Sequence, residues 1–344
     1  MQKLLLIVIF SGLYFMSNAQ QTSFKIEEKK DKKQVDILYN DKLMTAYCYY
    51  DSSFKPILFP VNTVDGITVT RGYPFQIVAG ERTDHPHHTG IWLNYESVNG
   101  LDFWNNSTAI APEKRNHYGT IIHQKIINKK TNGHHASLNV AANWIRPDGK
   151  TLLNEQTLFN FSVQVNNFII DRITTLTATD TTVVFKDVKD GMFAIRVARE
   201  LELLSKESSN YIDDKGNITT VPGSGNDVTG MYYSSTGLKG DSVWSSKGKW
   251  TMLTGKKENK DITVGIIDHP ANIGYPAYWH ARGYGLFSIN PLGRKIFSNG
   301  KEELNFSLAP GKSTTFRYRV VIHSGSFLTA AEMNKFSDDF EKVK

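Results

Sequence analysis

Three of the ten histidines of this 344-residue chain lie in one short run, residues 84–90 (DHPHHTG). An imidazole titrates near neutral pH, so it can move a proton or bind a metal ion. Pro86 favours an extended backbone before it, and an extended run would place His85 and His87 on one face and His88 on the other. We therefore predict His88 as a general acid or base. His85 and His87 form a candidate pair for a divalent metal, whose third ligand the spacing does not identify.

A second run of the same character lies near the C-terminus. An Asp-His-Pro triplet at residues 268–270 repeats the start of the first run, and residues 274–285 (GYPAYWHARGYG) add His280, Trp279 and Arg282. His280 is a candidate acid or base, and Arg282 suits a carboxylate or an oxyanion. Trp279 is a candidate platform for a ligand. We expect the two runs to meet in one pocket; packed aromatic residues around a structural histidine are the alternative.

The segment from Met192 to Leu201 is expected to supply a carboxylate. Apolar and polar residues alternate in it, which is typical of a half-buried strand, and Arg196 and Glu200 fall on the face opposite the apolar one. The small Ala194 and Ala198 leave room beside them. Arg196 and Glu200 are accordingly candidates to contact a ligand, and Arg196 is predicted to hold negative charge. An ordinary solvent-facing strand would give the same pattern.

Aromatic, amide and carboxylate side chains follow the first histidine run. They are Trp92, Asn94, Asp102 and Trp104. A sugar has apolar ring faces and many hydroxyl groups, so aromatic rings beside amides and carboxylates suit it. We predict that these four residues bind a carbohydrate or glycoside ligand. Packing of the two tryptophans in the core is the alternative.

Motifs of several common chemistries are absent from the sequence. There is no Gly-x-Ser-x-Gly elbow, no P-loop lysine motif, no dinucleotide-binding glycine fingerprint and no His-Glu-x-x-His. The lysines are scattered and nothing resembles a nucleic-acid module, so we expect no nucleic-acid partner. The single cysteine, Cys48, cannot form an internal disulfide, and its aromatic neighbours favour a packing role.

The elements that position these residues are mostly strands. Residues alternate between apolar and polar from Phe316 to His323, and similar patterns cover 161–170 and 262–267. Turn signals such as Asn299-Gly300 recur along the chain. Only the C-terminus is helical in pattern, where Thr329 to Glu332 forms a capping box. Without a long linker or repeat, the pattern predicts an all-β chain folded as one large sandwich with a C-terminal helix.

The first nineteen residues have the pattern of a secretory signal. Lys3 precedes an apolar stretch at residues 4–16, and small residues lead to a cleavage point after Ala19. The stretch is shorter than the ~20 residues that span a bilayer. We therefore predict a signal peptide at 1–19, a single β-sandwich domain at 20–344, and no membrane span in the mature chain. Its place of action is expected to be the periplasm or the cell exterior.

Three motifs together resemble the exported bacterial family called "PmoA family protein", a domain of unknown function. They are residues 84–92 (DHPHHTGIW), 189–196 (KDGMFAIR) and 278–285 (YWHARGYG). The name evokes a membrane methane monooxygenase, whose chemistry does not suit a chain without spans after the signal. The resemblance implies instead a role in bacterial glycan utilisation.

The end of the chain adds a second resemblance. Residues 308–311 (LAPG), followed by a long alternating strand, are similar to the end of a galactose-mutarotase-like super-sandwich. Epimerases of that fold pair a His acid with a carboxylate base, which implies His88 or His280 with Glu200. We thus predict a mutarotase-like super-sandwich and an enzyme that uses acid–base chemistry on a sugar or glycoside, as an epimerase, lyase or hydrolase. A glycan-binding protein using the tryptophans and a metal-dependent enzyme using His85 and His87 are the alternatives.

The signal peptide yields a direct prediction. When the full-length chain is expressed in a bacterial host, the protein recovered from the periplasm should begin at Gln20. Intact-mass measurement checks this, and a chain with the Lys3 region deleted serves as the control that stays in the cytoplasm. Recovery of the unprocessed chain from the membrane fraction would contradict the prediction.

Overall fold

Alternation of apolar and polar residues gives rise to long antiparallel strands. The computed structural model describes residues 23–225 and 227–344. Its strands are β1 Phe24–Lys29, β2 Gln34–Tyr39, β3 Lys42–Cys48, β4 Ile57–Val61, β5 Ile91–Tyr95, β6 Thr120–Asn132, β7 His135–Ile145, β8 Thr151–Gln164, β9 Asn167–Ala178, β10 Val183–Phe185, β11 Gly191–Arg196, β12 Ser209–Ile212, β13 Ile218–Val221, β14 Met231–Ser234, β15 Trp250–Lys257, β16 Lys260–Asp268, β17 Tyr278–Ala281, β18 Leu286–Asn290, β19 Phe306–Leu308 and β20 Ser313–Ser324.

Helices are few and short. The α-helices are α1 Arg294–Phe297 and α2 Ala330–Phe340, and single 3-10 turns cover Lys30–Lys32, Asp51–Ser53, Pro112–His117, Arg199–Leu201 and Gly240–Val243. No helix of the described residues has the length and apolar character needed to cross a membrane. The predicted signal peptide at 1–19 lies outside the described residues. The single domain at 20–344 stays a prediction.

Two eight-stranded antiparallel sheets face each other. The first sheet has the order β1-β2-β3-β4-β5-β11-β18-β17, and the second has the order β14-β15-β16-β20-β9-β8-β7-β6. One cluster of buried apolar side chains draws on both sheets. Phe193 of the first sheet stacks on Tyr318 of the second, with ring centroids 4.8 Å apart. The predicted all-β sandwich is therefore confirmed.

Strand β20 and the C-terminal helix follow their sequence patterns. Phe316, Tyr318, Val320 and Ile322 are all buried, as the alternation predicts. Helix α2 begins after Thr329, whose side chain accepts a hydrogen bond from the amide of Glu332 in a capping box. Its buried residues include Met333 and Phe340, which belong to a cluster on the outer face of the second sheet.

The outer face of the first sheet carries the site. A row of directly paired residues crosses four strands, with Trp92 opposite Ala194, Ala194 opposite Ser288, and Ser288 opposite His280. Their side chains share one face because directly opposed residues in a sheet point the same way. All four residues of the row are buried, and the small Ala194 and Ser288 lie between Trp92 and His280.

Two local predictions are wrong. The strand expected from Met192 to Leu201 ends at Arg196, because the chain turns into the 3-10 helix Arg199–Leu201. The run at residues 84–90 is not extended: the amide of His88 donates to the carbonyl of His85 at 2.9 Å and closes a turn. In both places the alternation rule fails because the backbone is not a strand.

Truncation of Phe193 should test the contact between the sheets. Phe193→Ala should lower the free energy of unfolding by about 3–5 kcal/mol, since it removes a buried ring and leaves a cavity. Urea unfolding at neutral pH measures the loss. The matched control is Ile218→Ala, because 57% of Ile218 is exposed and its truncation should cost less than about 0.5 kcal/mol. Equal losses in the two variants would contradict the sandwich core described above.

Candidate functional site

The buried guanidinium of Arg71 shapes the first histidine run. It donates to the carbonyl oxygens of Arg82, Asp84, His85 and His88 at 2.8–3.2 Å. Four carbonyls that converge on one cation force the backbone to curl around it. The sequence segment therefore becomes a turn, which we call the histidine turn (residues 84–90).

His85 has a backbone conformation that L-residues seldom adopt. Its φ is +45°, in the left-handed region, and it is not a glycine. Such a conformation costs of order 1–3 kcal/mol and is typical of functional sites, where the surroundings hold it in place. Arg71 supplies part of that hold through the His85 carbonyl, 2.9 Å from Nη2. The conformation lifts the His85 ring to the surface of the turn.

The carboxylate of Asp84 connects three basic groups. Oδ1 accepts from Arg71 at 2.9 Å and from Arg196 at 2.6 Å, and Oδ2 lies 3.1 Å from Nδ1 of His85. Burial alone would raise the pKa of Asp84, but the Arg196 guanidinium, the His85 contact and Arg71 together hold that pKa well below its usual range. Asp84 is therefore ionised at neutral pH.

Further charges complete the network beneath the turn. Glu202 accepts from Nε of Arg82 at 2.7 Å and lies 3.8 Å from Arg196. Burial raises the pKa of Glu202, while Arg196 and Arg82 oppose the rise. Three guanidiniums and two carboxylates thus alternate in a buried chain. Pairs of this kind are strongly destabilised when one partner is lost.

His85 and Tyr284 form one wall of a pocket of about 500 Å³. Their rings are nearly parallel, with centroids 5.0 Å apart, and 40% of the His85 side chain is exposed. The other walls come from Asp241, Trp244 and the exposed Arg282. Both histidine-containing runs therefore border the same pocket, as the sequence analysis assumed.

Arg282 lies in that pocket as expected for a binding residue. Its guanidinium sits 5.8 Å from the ring centroid of Trp244 and 5.9 Å from that of Tyr284. Arg196, the other predicted arginine, is fully buried and faces the Tyr284 ring at 5.0 Å. It holds the negative charge of Asp84, so it acts on the protein's own carboxylate.

The ring of His88 is buried on the inner side of the histidine turn, away from the pocket surface. Only 2% of it is exposed, its ring stacks on Trp92 at 5.4 Å, and its Nδ1 lies 3.4 Å from Arg196. Burial lowers the pKa of His88 well below its usual value, with His87 and Arg196 adding to the effect. A ligand in the pocket meets His85 before it meets His88.

His87 is half-buried and packs edge-on against His88. Its carbonyl accepts from the buried ammonium of Lys55 at 2.7 Å, and burial lowers the pKa of Lys55 to about 7. Within the described ranges, no three His, Cys, Asp or Glu side chains converge as a metal site. No third ligand for the predicted His85–His87 metal pair is found among the described residues, and that pair stays a prediction.

His280 lies at the end of the cross-strand row and is 2% exposed. Its Nδ1 lies 3.5 Å from Oδ1 of Asp190. Burial, together with the positive charges of Lys189 and Arg282, lowers the pKa of His280 to about 3. His280 is thus a neutral imidazole beside a carboxyl group at the edge of the pocket.

Glu200 lies apart from the other predicted site residues. It is in the 3-10 helix Arg199–Leu201, and its carboxylate pairs with Lys257 of β15. The strand that was expected to align it with Arg196 ends before it. The chain places Glu202 beside Arg196 instead. The role of Glu200 as a base stays a prediction.

The three predicted sugar-binding tryptophans are covered by protein. Trp92, Trp104 and Trp279 are 0–1% exposed. Trp279 belongs to the core between the sheets, because neighbouring residues of a strand point to opposite faces and His280 takes the outer one. Trp92 and Trp104 pack on each other at 5.2 Å below the histidine turn. Their ring faces support the pocket from beneath and are closed to a sugar.

Asn94 and Asp102 also make contacts within the protein. Nδ2 of Asn94, which is fully buried, donates to the carbonyl of Phe103 at 2.6 Å. Asp102 accepts from the amides of Trp104 and Asn105 at 2.8 and 2.9 Å. Both residues therefore fix the loop that follows β5. Their predicted contact with a ligand stays a prediction.

Sequence reasoning missed two arginines and two half-buried aromatic rings of the site. Arg71, Arg82, Trp244 and Tyr284 were not among the predicted residues. Arg71 lies in the motif Thr70-Arg71-Gly72, which no recognised pattern marks. Tyr284 could have been found, because it belongs to the same glycine-flanked run as Arg282.

Several buried polar atoms around the site have no partner. Among the described residues no hydrogen bond reaches Nε2 of His88, Oγ1 of Thr89, Nη2 of Arg82 or Nε1 of Trp244. A buried polar atom without a partner costs about 1–3 kcal/mol. Such atoms cluster where a polar ligand or ordered water completes the network.

The buried histidines predict an acid-sensitive fold. Burial lowers the pKa values of His88 and His280 in the folded chain. Below about pH 6.5 these two histidines therefore bind protons more readily in the unfolded chain than in the folded chain. Stability is therefore full above that pH and is lost as the pH falls. Each histidine should cost roughly 2 kcal/mol between pH 7.5 and pH 5. Urea unfolding across this range measures the loss.

Two variants isolate this effect. His88→Gln should be less stable at pH 7.5 but should lose less stability on acidification than the parent chain. The exposed His117→Gln is the matched control and should keep the parent slope. An unchanged slope in His88→Gln would contradict the assignment of a neutral, buried His88.

Several solved structures are similar to this chain at low sequence identity. Among solved structures, the galactosidase domain of the α-galactosidase-sucrose kinase AgaSK aligns with a TM-score of 0.40 and 12% identity, over 88% of this chain and 42% of that chain. The GH36 α-galactosidase AgaA of Geobacillus stearothermophilus aligns with a TM-score of 0.38 and 12% identity, over 88% of this chain and 40% of that chain. The Slr1438 protein of Synechocystis sp. PCC 6803 aligns with a TM-score of 0.30 and 11% identity, over 88% of this chain and 96% of that chain. This chain spans about two fifths of the two galactosidase chains.

Sequence comparison settles the family. No curated protein is significantly similar to the chain. The model of a family of unknown function, DUF6807, matches residues 34–338. That description confirms a domain of unknown function and does not include the PmoA name. The chain belongs to the DUF6807 family, whose function is unknown.

Proposed function

We propose that this protein is a carbohydrate-active enzyme in which His85 moves a proton on a sugar or glycoside. The observation that carries the proposal is the pair of Asp84 and His85 at the mouth of the pocket, with 3.1 Å between Oδ2 and Nδ1. A carboxylate on Nδ1 fixes the orientation of an imidazole and leaves Nε2 open to a ligand. Epimerase, lyase and hydrolase reactions all need such a group.

The arginines under the pair support this role. Arg71 and Arg196 keep Asp84 ionised, so its charge can stabilise the imidazolium that forms when His85 accepts a proton. The contact of Nδ1 of His85 is with Asp84 and with neither of the two arginines. The pair is therefore held in the arrangement that a general base requires, and this favours His85 over the covered His88 as the proton-transfer group.

The walls of the pocket suit a polyhydroxylated ligand. Trp244 and Tyr284 offer half-buried rings, and Asp241, Glu207 and Arg282 are exposed polar groups on the lining. Aromatic rings pack against the apolar faces of sugars, and charged side chains form hydrogen bonds with sugar hydroxyl groups. These residues replace the buried Trp92, Trp104 and Trp279 as the proposed contacts for a sugar. A purely glycan-binding protein would use the same walls without His85.

Two further parts of the proposal come from the sequence. The signal pattern at residues 1–19 supports export to the periplasm or beyond. The resemblance of three motifs to the family called "PmoA family protein" is the basis for a role in glycan utilisation, and methane oxidation is not part of the proposal. A divalent metal bound at His85 and His87 is an alternative that elemental analysis of purified protein would detect.

His85→Gln should separate catalysis from binding. The purified chain is incubated with aryl glycosides, free sugars and oligosaccharides of common hexoses, pentoses and uronic acids, and products are followed by NMR. On any substrate that reacts, His85→Gln should lower kcat about 10²- to 10⁴-fold while KM changes little, because only the proton transfer is lost.

Two control variants accompany this measurement. His117→Gln replaces an exposed histidine and should keep the parent activity. Arg282→Ala should instead raise KM, because it removes a wall of the pocket. A His85→Gln variant with full activity would refute the assignment, and binding without turnover of any sugar would favour the glycan-binding alternative.

A further inference from the structure

Two buried donor groups at the pocket that His85 lines have no acceptor. Nη2 of Arg82 and Nε1 of Trp244 are buried and form no hydrogen bond within residues 23–225 and 227–344. Arg82 is only 5% exposed, and its Nη1 donates to Ser209, which lines the same pocket as Arg82 and Trp244. The guanidinium of Arg82 therefore lies at the pocket wall. Both groups can only donate, so the partner they lack is an acceptor.

Arg282 adds a third donor group to the same pocket. Its exposed side chain forms no hydrogen bond or ion pair with any residue that the structure describes. The guanidinium instead contacts the rings of Trp244 and Tyr284, whose centroids are 5.8 and 5.9 Å away. A guanidinium held against two rings keeps its fork of N–H groups available for a group with two acceptor oxygens.

The carboxylates of the site do not supply that acceptor. Asp84 accepts from two buried guanidiniums, and Glu202 accepts from Nε of Arg82 at 2.7 Å. Asp241 and Glu207 also line the pocket, but both are exposed to water, and neither forms an ion pair in the described part of the chain. Unpaired donors are therefore in excess at the buried wall of the pocket. A ligand with a negatively charged acceptor would complete their hydrogen bonds.

A carboxylate on the sugar would also give His85 a proton to remove. The C–H bonds of a neutral glycoside hardly ionise. A C–H bond beside a carboxyl group becomes acidic when a guanidinium stabilises the negative charge that develops on the carboxyl oxygens. His85 and Arg282 both contact the ring of Tyr284, at 5.0 and 5.9 Å from its centroid. One bound sugar can therefore contact the base and the cation together.

We propose that the substrate is a glycan that contains uronic acid, bound through its carboxylate by Arg282 and cleaved by β-elimination. The inference rests on the proposed function. His85 takes the proton from carbon 5, next to the carboxylate, and the electron pair of that C–H bond forms the double bond to carbon 4. The C4–O bond breaks with its electron pair on the departing oxygen, which takes a proton from water. The remaining hydroxide takes the proton from His85, so no oxidant, cofactor or net water is consumed.

The first experiment measures binding and needs no turnover. Calorimetric titration compares oligosaccharides of glucuronic, galacturonic and mannuronic acid with neutral oligosaccharides of the same length and with sulfated ones. At least one uronide should bind about 10-fold or more tightly than its neutral counterpart, because it gains a hydrogen bond between charged groups. Equal affinities for uronides and neutral sugars, or a preference for the sulfated sugars, would overturn the proposal.

Variants of Arg282 locate the carboxylate. Arg282→Gln should lower the affinity for the uronide about 10- to 100-fold and should change the affinity for the neutral sugar much less. Arg282→Lys keeps the charge without the fork and should have an intermediate affinity. The matched control is Lys206→Gln, which removes an exposed positive charge beside the pocket lining and should bind as the parent chain does. Parent affinity for the uronide in Arg282→Gln would refute the inference, and thermal unfolding checks that each variant is folded.

The second experiment identifies the reaction from its products. Elimination gives an unsaturated uronide that is lighter by one water than the product of hydrolysis, and its conjugated double bond absorbs ultraviolet light. Mass spectrometry and absorbance should detect this product with the parent chain and with the exposed control His117→Gln, but not with His85→Gln. Cleavage of a uronide to saturated products alone would contradict β-elimination.

The outcomes separate the two proposals. If a neutral sugar reacts at a rate that depends on His85 while uronides bind no more tightly, the substrate class is wrong and the proposed function stands. If His85→Gln keeps full activity on a uronide, the proposed function fails. The affinities of Arg282→Gln then still decide whether the ligand is an acidic sugar.

Discussion

The sharing of one carboxylate, Asp84, by two buried guanidiniums is the interaction on which the site depends. Arg71 and Arg196 come from different parts of the chain, a loop before the histidine turn and the end of β11, and both bind Oδ1. Arg71 also gathers the carbonyls of the turn. Without the carboxylate, two cations would lie close together in a poorly hydrated space. The turn, the sheet and the exposed imidazole are therefore coupled through a single group.

This arrangement favours defined geometry over stability. Burying ions costs several kcal/mol each, and an apolar core of equal volume is often as stable or more so. The chain nevertheless buries three arginines and Glu202, and it places the partly exposed Asp84 between two of these arginines. What the network achieves is a fixed charge pattern in which the carboxylate beside His85 stays ionised.

Sequence patterns predicted the fold well because the fold depends on local rules. Alternation in β20 and the capping box of α2 are decided by neighbours a few residues away. The site was predicted only in part. Its histidine runs could be recognised by composition. The conformation of His85 depends instead on Arg71, which lies 14 residues earlier in the chain. Glu200 and Glu202 could not be distinguished because that choice depends on where β11 ends.

The burial of the tryptophans shows the same limit. Trp279 and His280 are adjacent, so only one of them could face the pocket, and the sequence does not state which face of β17 is the inner one. Pairing with β18 decides it by placing Trp279 opposite the core residue Ile289. Composition can therefore suggest a ligand class, whereas assignment of individual contacts requires the register of the sheet.

The cross-strand row of Trp92, Ala194, Ser288 and His280 has a consequence for divergence within the family. This row belongs to paired strands and is buried, whereas much of the pocket lining comes from loops at residues 203–209 and 240–244. Loops tolerate insertion and replacement far better than paired strands do. Relatives can therefore change the lining of the pocket while the paired strands keep their packing. The size of the ligand that a relative admits would then change faster than the sheet beside the pocket.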